Sequence, residues 1–167
     1  SIARAIESII LFRNEEFMYL RNYQSDDCQS IIRLFYETVH TVNQSDYSKE
    51  QLDAWTSGAE DPKTWDQSFL SHNTVVAVKN DTIVGFGDID DTGYLDRLFV
   101  HKDYQREGIG NAILEQLESY VQVPQITVHV SITARHFFEN RGYRVIKKQE
   151  VFRKNVSLTN YVMLKCL

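Results

Sequence analysis

A glycine-containing segment, Gln105-Arg106-Glu107-Gly108-Ile109-Gly110-Asn111, lies between a strand-like run and an amphipathic helical pattern, and it constrains the fold more than any other part of the chain. Its glycines let backbone amides approach a ligand without obstruction by side chains. A helix that begins here adds free amides and the positive end of its dipole, which suits a pyrophosphate. No Lys-Ser/Thr pair follows, so the segment is not a P-loop, and it lacks the third glycine of a dinucleotide fingerprint. These residues alone leave open whether the segment binds phosphate or only turns into a helix.

The composition is that of one globular domain with a buried core. The chain has 167 residues, of which 43% are hydrophobic, and a chain of that length can bury a single core without disulfides or metals. Lys and Arg number 18 against 23 Asp and Glu, a net charge of -5, which argues against a nucleic-acid partner. No apolar run approaches the roughly 18 residues of a membrane span, so no membrane partner is expected.

Cysteine and histidine give no sign of a disulfide or a metal site. Cys28 and Cys166 are predicted to be small buried groups in a reducing compartment, which indicates a cytoplasmic protein. The five histidines show no metal-ligand spacing, so no metal is predicted.

The chain is divided into an N-terminal extension, residues 1–17, and one domain, residues 18–167. The short apolar run near Ile9 is flanked by charges and is too short for a secretory signal. Met18 opens the first convincing strand and could be a natural start. The apolar stripe Ile2, Ile6, Ile9 and Ile10 could dock on itself or a partner, so monomer and homodimer both stay open.

Apolar periodicity predicts an alternation of strands and helices over the domain. Strands are predicted over 17–23, 74–78, 83–89, 94–100, 126–130, 143–152 and 158–165. Helices are predicted from Ser25 to Val39, from Ser48 to Trp55, over 62–70, over 108–121, and from a Ser131 cap to Asn140. This order predicts an α/β (α+β) fold with a central mixed, mostly antiparallel sheet of about seven strands flanked by helices.

Two segments together resemble the signature motifs of the GNAT superfamily of N-acetyltransferases. The first joins Leu95-Asp96-Arg97-Leu98-Phe99-Val100 to the glycine-containing segment, and the second runs from Ser131 to Tyr143. The order of elements over residues 18–167 is also similar to the single-domain GNAT fold, and the closing residues 158–163 resemble small bacterial members.

The resemblance implies acetyl-CoA as the co-substrate. It would lie along the third and fourth of the strands that begin at residue 74, which are the predicted strands 94–100 and 126–130. Pantetheine would pair with the backbone of Leu98 to Val100 as an added strand, and the amides near Gly108 would hold the pyrophosphate. The implied coenzyme contacts are Leu98, Phe99, Val100, Gln105, Arg106, Glu107, Gly108, Ile109, Gly110, Asn111, Ser131, Ala134, Phe137 and Phe138.

The implied reaction is direct attack of a primary amine, on a small molecule or a peptide, in a ternary complex with acetyl-CoA. A backbone amide near Phe99 or Val100 would stabilise the oxyanion. Strand alternation puts Asp96 on the face of Leu98 and Val100, which makes Asp96 the first candidate base. It could equally be a solvated or ion-paired side chain, and Asp88 is the second candidate.

Phe138 departs from the motif, which often has at this position a Tyr that protonates the leaving thiolate. General acid catalysis is typically worth about 10²–10⁴ in rate, and Tyr143, Tyr104 or water could replace it. The departure leaves an alternative function, an acetyl-CoA-binding regulatory module with little or no turnover.

The acceptor pocket is expected between the first helices and the loop joining the last two strands, where aromatic side chains could enclose an amine. The candidate residues there are Tyr36, His40, Tyr47, Trp55, Trp65, Arg153, Lys154 and Asn155. Nothing in the sequence identifies the acceptor.

Overall fold

The β-strands form one sheet whose neighbours are mostly antiparallel. A computed structural model describes residues 17–167 in full and residues 8–11 as backbone. The strands are β1 (Ser8–Leu11), β2 (Phe17–Asn22), β3 (Asn73–Lys79), β4 (Thr82–Ile89), β5 (Tyr94–Val100), β6 (Gln125–Ser131), β7 (Arg144–Arg153) and β8 (Val156–Cys166). Their order in the sheet is β1-β2-β3-β4-β5-β6-β8-β7, and the β5–β6 pair is parallel. The seven strands after residue 16 confirm the predicted sheet, and β1, inside the predicted extension, adds an eighth at its edge.

Helices cover both faces of the sheet, as predicted. They are α1 (Cys28–Val42), α2 (Lys49–Trp55), α3 (Pro62–Ser71), α4 (Ile109–Tyr120) and α5 (Arg135–Glu139). Ile31 and Phe69, from α1 and α3, pack with Phe86 in one hydrophobic cluster. Ile113 and Leu117 of α4 pack with the other side of the sheet in a second cluster.

Local capping signals explain where α2 and α3 begin. Ser48 accepts a hydrogen bond from the Gln51 amide at 3.1 Å, and Gln51 returns one to the Ser48 amide at 2.8 Å, the reciprocal pair of a capping box. Asp61 caps α3, whose first residue is Pro62. Ser25, however, belongs to a short 3₁₀ turn capped by Gln24, so the prediction that Ser25 is the cap was wrong.

The last helix is shorter than predicted. Ser131 is the final residue of β6, and α5 begins only at Arg135. The hydroxyl of Ser131 accepts a hydrogen bond from the Ala134 amide at 3.1 Å. Ser131 therefore stabilises the turn between the strand and the helix instead of capping the helix directly.

The two cysteines differ in exposure. Cys28 is buried, but Cys166 is exposed because it ends the last strand, so its predicted burial was wrong.

Ile2 and Ile6 of the apolar stripe, and the side chains of Ile9 and Ile10, lie outside the described residues. None of the helices in the described part of the chain has the length and apolar character needed to cross a bilayer.

Two glycines of β4 allow α4 to lie directly on the sheet. A Cβ atom added at Gly85 would stand 2.9 Å from Ile113 Cδ1, and one at Gly87 would stand 2.9 Å from Leu117 Cδ1 and 3.0 Å from the Arg97 carbonyl oxygen. Side chains at these positions would separate the helix from the strand. The N-terminus of α4 is therefore held next to the end of β5, where the coenzyme is expected.

Gly87→Ala should lower the free energy of unfolding by about 1–3 kcal/mol, because the added methyl group overpacks the interface between β4 and α4. Urea denaturation measures this change. Thr82→Ala, at the exposed start of the same strand, is the control and should change stability by less than about 0.5 kcal/mol. Equal effects of the two substitutions would contradict the close packing.

Candidate active site

A cleft opens where β5 and β6 stop pairing. The two strands pair only at Tyr94 with Thr127 and at Leu95 with Val128. Opposite β4, the register shifts so that Asp88 faces Arg97 and Ile89 faces Leu95, which leaves Asp96 as the extra residue of a β-bulge. A bulge bends its strand, and the cleft beyond it has a volume of about 910 Å³.

The strand register decides which backbone groups of β5 face this cleft. The His101 amide donates to the Val84 carbonyl, and Phe86 pairs with Phe99. Since hydrogen-bonded and non-hydrogen-bonded pairs alternate in an antiparallel ladder, the backbone groups of Phe99 point toward β4. Those of Leu98 and Val100 point toward the cleft.

The carbonyl of Val100 is already bound on the cleft side. It accepts hydrogen bonds from Thr38 Oγ1 at 3.1 Å and from Gln105 Nε2 at 2.7 Å. These two contacts tie the end of β5 to α1 and to the glycine-containing segment. Of the two predicted oxyanion donors, Val100 therefore presents its amide to the cleft, and Phe99 does not.

The glycine-containing segment forms the second wall of the cleft. Arg106 and Gly108 have positive φ angles of 62° and 83°, and Gly108 is the N-cap of α4. The Ala112 amide donates to the Gly108 carbonyl, so the amides at 109–111 have no acceptor within the helix. A Cβ atom on Gly108 would meet nothing within 4 Å. The geometry is that of an open anion-binding helix start.

Thirteen of the fourteen predicted coenzyme contacts line this cleft. They are Leu98, Phe99, Val100, Gln105, Arg106, Gly108, Ile109, Gly110, Asn111, Ser131, Ala134, Phe137 and Phe138. The exception is Glu107, whose carboxylate is 2.8 Å from Lys79 Nζ. An ion pair with the nearly buried Lys79 holds that side chain away from the cleft.

The predicted general acid Tyr143 is not at the cleft. It is buried, its ring lies edge-on to Phe138 with the centroids 5.1 Å apart, and its hydroxyl donates to Glu118 Oε2 at 3.0 Å. Burial, and then the charge of Glu118, raises the pKa of Tyr143. The structure thus corrects this prediction, while Tyr104 does line the cleft.

A second cavity, of about 430 Å³, lies on the face of the sheet covered by α1 and α2. Tyr47, Trp55, Trp65 and Arg153 line it, as predicted for the acceptor pocket. Tyr36, His40, Lys154 and Asn155 do not: His40 Nε2 is 2.9 Å from Asp53, and Lys154 and Asn155 form the tight turn between β7 and β8. Tyr47 also joins the cavity walls, because its hydroxyl donates to the Thr159 carbonyl and accepts from the Ile132 amide.

The two cavities meet at a junction. We define the junction by the six residues that line both cavities, which are Trp55, Asp96, Arg97, Phe99, His129 and Ser131. A group bound in one cavity can reach a group bound in the other at this junction.

His129 is the junction residue that the sequence analysis missed. It lies on β6 between Val128 and Val130, both of which are buried in the α4 cluster. Strand alternation therefore turns His129 to the opposite face, toward the second cavity. The alternation of Val128, His129 and Val130 is visible in the sequence. It points to a functional role for His129 only once β6 is known to border the cleft.

The side chain of Asp96 does not follow simple alternation. Leu95, Leu98 and Val100 all pack against the α4 cluster, which requires the extra residue at the bulge. The Asp96 carboxylate is 3.4 Å from Arg97 Nη2, so the prediction that Asp96 shares the face of Leu98 and Val100 was wrong. Burial raises the pKa of Asp96, and the positive charge of Arg97 opposes this rise.

Asp88, the second candidate base, is fully buried beneath the bulge. Its carboxylate accepts hydrogen bonds from Arg97 Nε at 2.9 Å and Nη2 at 2.6 Å, and His72 Nδ1 is 2.7 Å from its Oδ2. With both oxygens engaged and no exposure, Asp88 cannot receive a proton from a substrate. It is a structural anchor for Arg97.

His72, Asp88 and Asp96 also offer potential metal ligands within 4.8 Å of one another. The guanidinium of Arg97 binds both oxygens of Asp88 and already supplies the positive charge there. Arg97 is itself held over the rings of Trp65 and Phe69. A cation would have to displace this packed side chain, so we assign no metal to these residues.

Comparisons with known proteins agree on one family. The family described as an acetyltransferase (GNAT) domain matches residues 43–165. The chain is 33% identical over 144 residues to the uncharacterized N-acetyltransferase YafP of Escherichia coli strain K12, covering 86% of this chain and 93% of that protein. A GCN5-related N-acetyltransferase from Rhodopseudomonas palustris superposes with a TM-score of 0.85 at 29% identity, covering 89% of this chain and 94% of that chain.

The fold is also shared with the PaiA N-acetyltransferase of Thermoplasma acidophilum, whose crystal structure is a complex with coenzyme A. That structure superposes with a TM-score of 0.73 at 16% identity, covering 90% of this chain and 99% of that chain. At this identity the likeness concerns the fold alone.

The pair formed by the partly buried His72 and the buried Asp88 predicts a pH dependence of stability. The hydrogen bond to Asp88 raises the pKa of His72, against the opposing effect of burial. A raised pKa in the folded state gives stability that is complete below the ordinary value of about 6.5. This stability is lost as the pH rises through the folded pKa.

We therefore expect the free energy of unfolding to decline as the pH rises above about 6.5, and His72→Gln to remove this decline. Urea denaturation at a series of pH values measures the slope. The control is His136→Gln, whose side chain is 89% exposed and which should keep the wild-type slope. A decline that persists in His72→Gln would assign it to another group.

Proposed function

The chain belongs to the GNAT family of N-acetyltransferases and is an acetyl-CoA-dependent acyltransferase, and we propose that its acceptor is a primary amine of a small molecule or peptide. The observation that carries this proposal is the junction between the cleft and the second cavity. Acetyl-CoA in the cleft and an amine in the second cavity would meet there, which supports direct attack in a ternary complex.

In this proposal the residues of the cleft hold the coenzyme in two ways. The cleft-facing backbone groups of Leu98 pair with pantetheine as with an added strand, since the Val100 carbonyl is already bound by Thr38 and Gln105. The open amides at 109–111, with the left-handed backbone of Gly108 before them, hold the pyrophosphate. The absence of any atom within 4 Å of a Cβ on the exposed Gly108 supports this fit, since it leaves room for a phosphate at the start of α4.

Polar and aromatic groups of the second cavity favour an amine as its occupant. Trp55 and Trp65 line the cavity and supply aromatic surface for a cation, and Arg97 already lies over one face of Trp65. Glu60 Oε2 and Asn160 Oδ1 are buried acceptor oxygens that have no hydrogen-bond donor among the described residues, and both residues line the cavity. A buried acceptor without a donor is costly, and an N–H group of the substrate would satisfy it.

The reaction requires two protons to leave the nitrogen, because an alkyl amine arrives as an ammonium ion. The first must leave before the lone pair can attack the thioester carbonyl. We assign this step to Asp96, directly or through water, since it lines the junction and its raised pKa makes it a stronger base than an ordinary Asp. The Val100 amide then stabilises the oxyanion as the N–C bond forms.

Three further properties stay predictions: a cytoplasmic location, the absence of a nucleic-acid or membrane partner, and a state of either monomer or homodimer. The free cysteines and the acidic charge support the first two.

Release of free CoA from acetyl-CoA, measured with a panel of alkyl amines, polyamines, aminoglycosides and peptides, tests the function. Amine-dependent release is the expected result. Binding of CoA by calorimetry without release for any amine would instead favour the regulatory module, which Phe138 and the inward-turned Tyr143 make a specific alternative.

Gly108→Glu should weaken CoA binding by about 10²-fold or more, because it places a carboxylate beside the expected pyrophosphate. Calorimetric titration with CoA measures the change. Gly108→Ala is the matched control, since it imposes the same strained left-handed backbone without the charge, and it should retain most of the affinity. Unchanged affinity in Gly108→Glu would place the pyrophosphate elsewhere.

Asp96→Asn should lower kcat/KM for an alkyl amine by about 10²-fold and leave CoA affinity unchanged. In the wild type, kcat/KM should rise with pH through the raised pKa of Asp96, because only the carboxylate accepts a proton. This rise should be absent from the variant. Asp91→Asn, in the exposed turn before β5, is the control, and a wild-type profile in Asp96→Asn would reject Asp96 as the base.

A further inference from the structure

We propose that His129 accepts the second proton of the amine as the N–C bond forms and then delivers it to the sulfur of the departing CoA. This inference rests on the proposed function and assigns a catalytic residue to the step that the family motif leaves without one in this chain.

The first support for this role is the position of His129 in the fold. His129 is exposed on β6 and lines both the coenzyme cleft and the second cavity. One imidazole can therefore reach a nitrogen on one side of the junction and a sulfur on the other. Its ring lies edge-on to Tyr94, with the centroids 5.4 Å apart, which restricts its orientation.

The second support is that the junction itself offers few other proton carriers. Phe138 has no proton to give, and Tyr143 donates to Glu118 behind the cleft wall. Among the described residues, the junction contains three ionisable side chains, Asp96, Arg97 and His129. Arg97 is bound to Asp88 and does not deprotonate in proteins. With Asp96 assigned to the first proton, His129 is the group that remains for the second.

The groups around His129 favour both steps, which are acceptance of a proton from the amine and its delivery to the sulfur. Tyr94 and Asp96 approach it from β5, and Lys147 and Arg153 from β7. Partial desolvation of the ring beside the cavity walls is the largest influence and, with the positive charges of Lys147 and Arg153, lowers the pKa of His129, while Asp96 raises it. At neutral pH the ring is therefore uncharged and can accept a proton. The imidazolium it becomes is a stronger acid than an ordinary one, and a thiolate, whose thiol has a pKa of about 8.5, can take the proton from it.

With Asp96 and His129 in these roles, every proton and every bond of the proposed reaction is accounted for. The ammonium loses one proton through Asp96 to solvent, and the neutral amine attacks the thioester carbonyl. As the N–C bond forms, the nitrogen loses its second proton to His129. The C–S bond then breaks, and the sulfur takes that proton from the imidazolium, so the products are an amide, CoA thiol and one proton in solvent.

His129→Gln tests the assignment because it keeps a polar side chain that cannot carry a proton. We expect kcat to fall by about 10²–10⁴-fold with CoA affinity unchanged. We also expect loss of the part of the pH profile that rises through the lowered pKa of His129. His40→Gln removes a histidine that lines neither cavity and should behave as the wild type.

Two amines separate the roles of the two residues. An aryl amine is already neutral at pH 7, so it has no first proton to lose. We expect Asp96→Asn to impair the alkyl amine more than the aryl amine, and His129→Gln to impair both equally. Addition of free imidazole to His129→Ala should restore part of the activity, which a purely structural role would not allow.

The outcomes distinguish this inference from the proposed function. An active wild type together with an unchanged kcat and pH profile in His129→Gln would overturn the role of His129 alone. A wild type that binds CoA but releases none with any amine would overturn the proposed function and, with it, this inference.

Discussion

The bulge at Asp96 determines the geometry on which both cavities depend, and the buried contact between Asp88 and Arg97 holds it. Leu95 is the last residue of β5 that pairs with β6, and the extra residue follows it immediately. Because a charged pair removed from water is stable only when its hydrogen bonds are complete, the three bonds that Asp88 receives from Arg97 and His72 favour a single arrangement. The bend that results separates β5 from β6 and opens the cleft.

The two faces of the sheet carry different structures beside this opening. On one face, α4 lies against Gly85 and Gly87 and presents its N-terminus at the mouth of the cleft. On the other face, Tyr47 and the tryptophans enclose the second cavity. The backbone of β5 runs between them, with the Val100 amide directed into the gap. In the proposed function, coenzyme and acceptor thus approach the shared junction residues from different cavities.

The absence of a Tyr at position 138 is compatible with this arrangement because, in the proposed mechanism, proton transfer comes from another strand. Phe138 still fills the space where the family motif often has a Tyr, and it packs against the buried Tyr143. A histidine on β6 reaches the junction from a different direction. In the proposed mechanism, Asp96 and His129 are held at opposite edges of the splayed pair of strands, and each removes one proton from the same nitrogen.

The sequence by itself determined the seven strands after residue 16, the helical stripes and the glycine-containing turn into α4, because these depend on local periodicity, capping and the freedom of glycine. Thirteen of the residues that line the cleft were predictable for the same reason, since they lie on a few short segments of the two motifs. Only the tertiary structure decided that Asp96 leaves the face of Leu98, that Glu107 turns to Lys79, and that His129 stands at the junction. These placements depend on a one-residue shift of register and on partners distant along the chain, and a register shift reverses the face of a side chain without changing the local sequence.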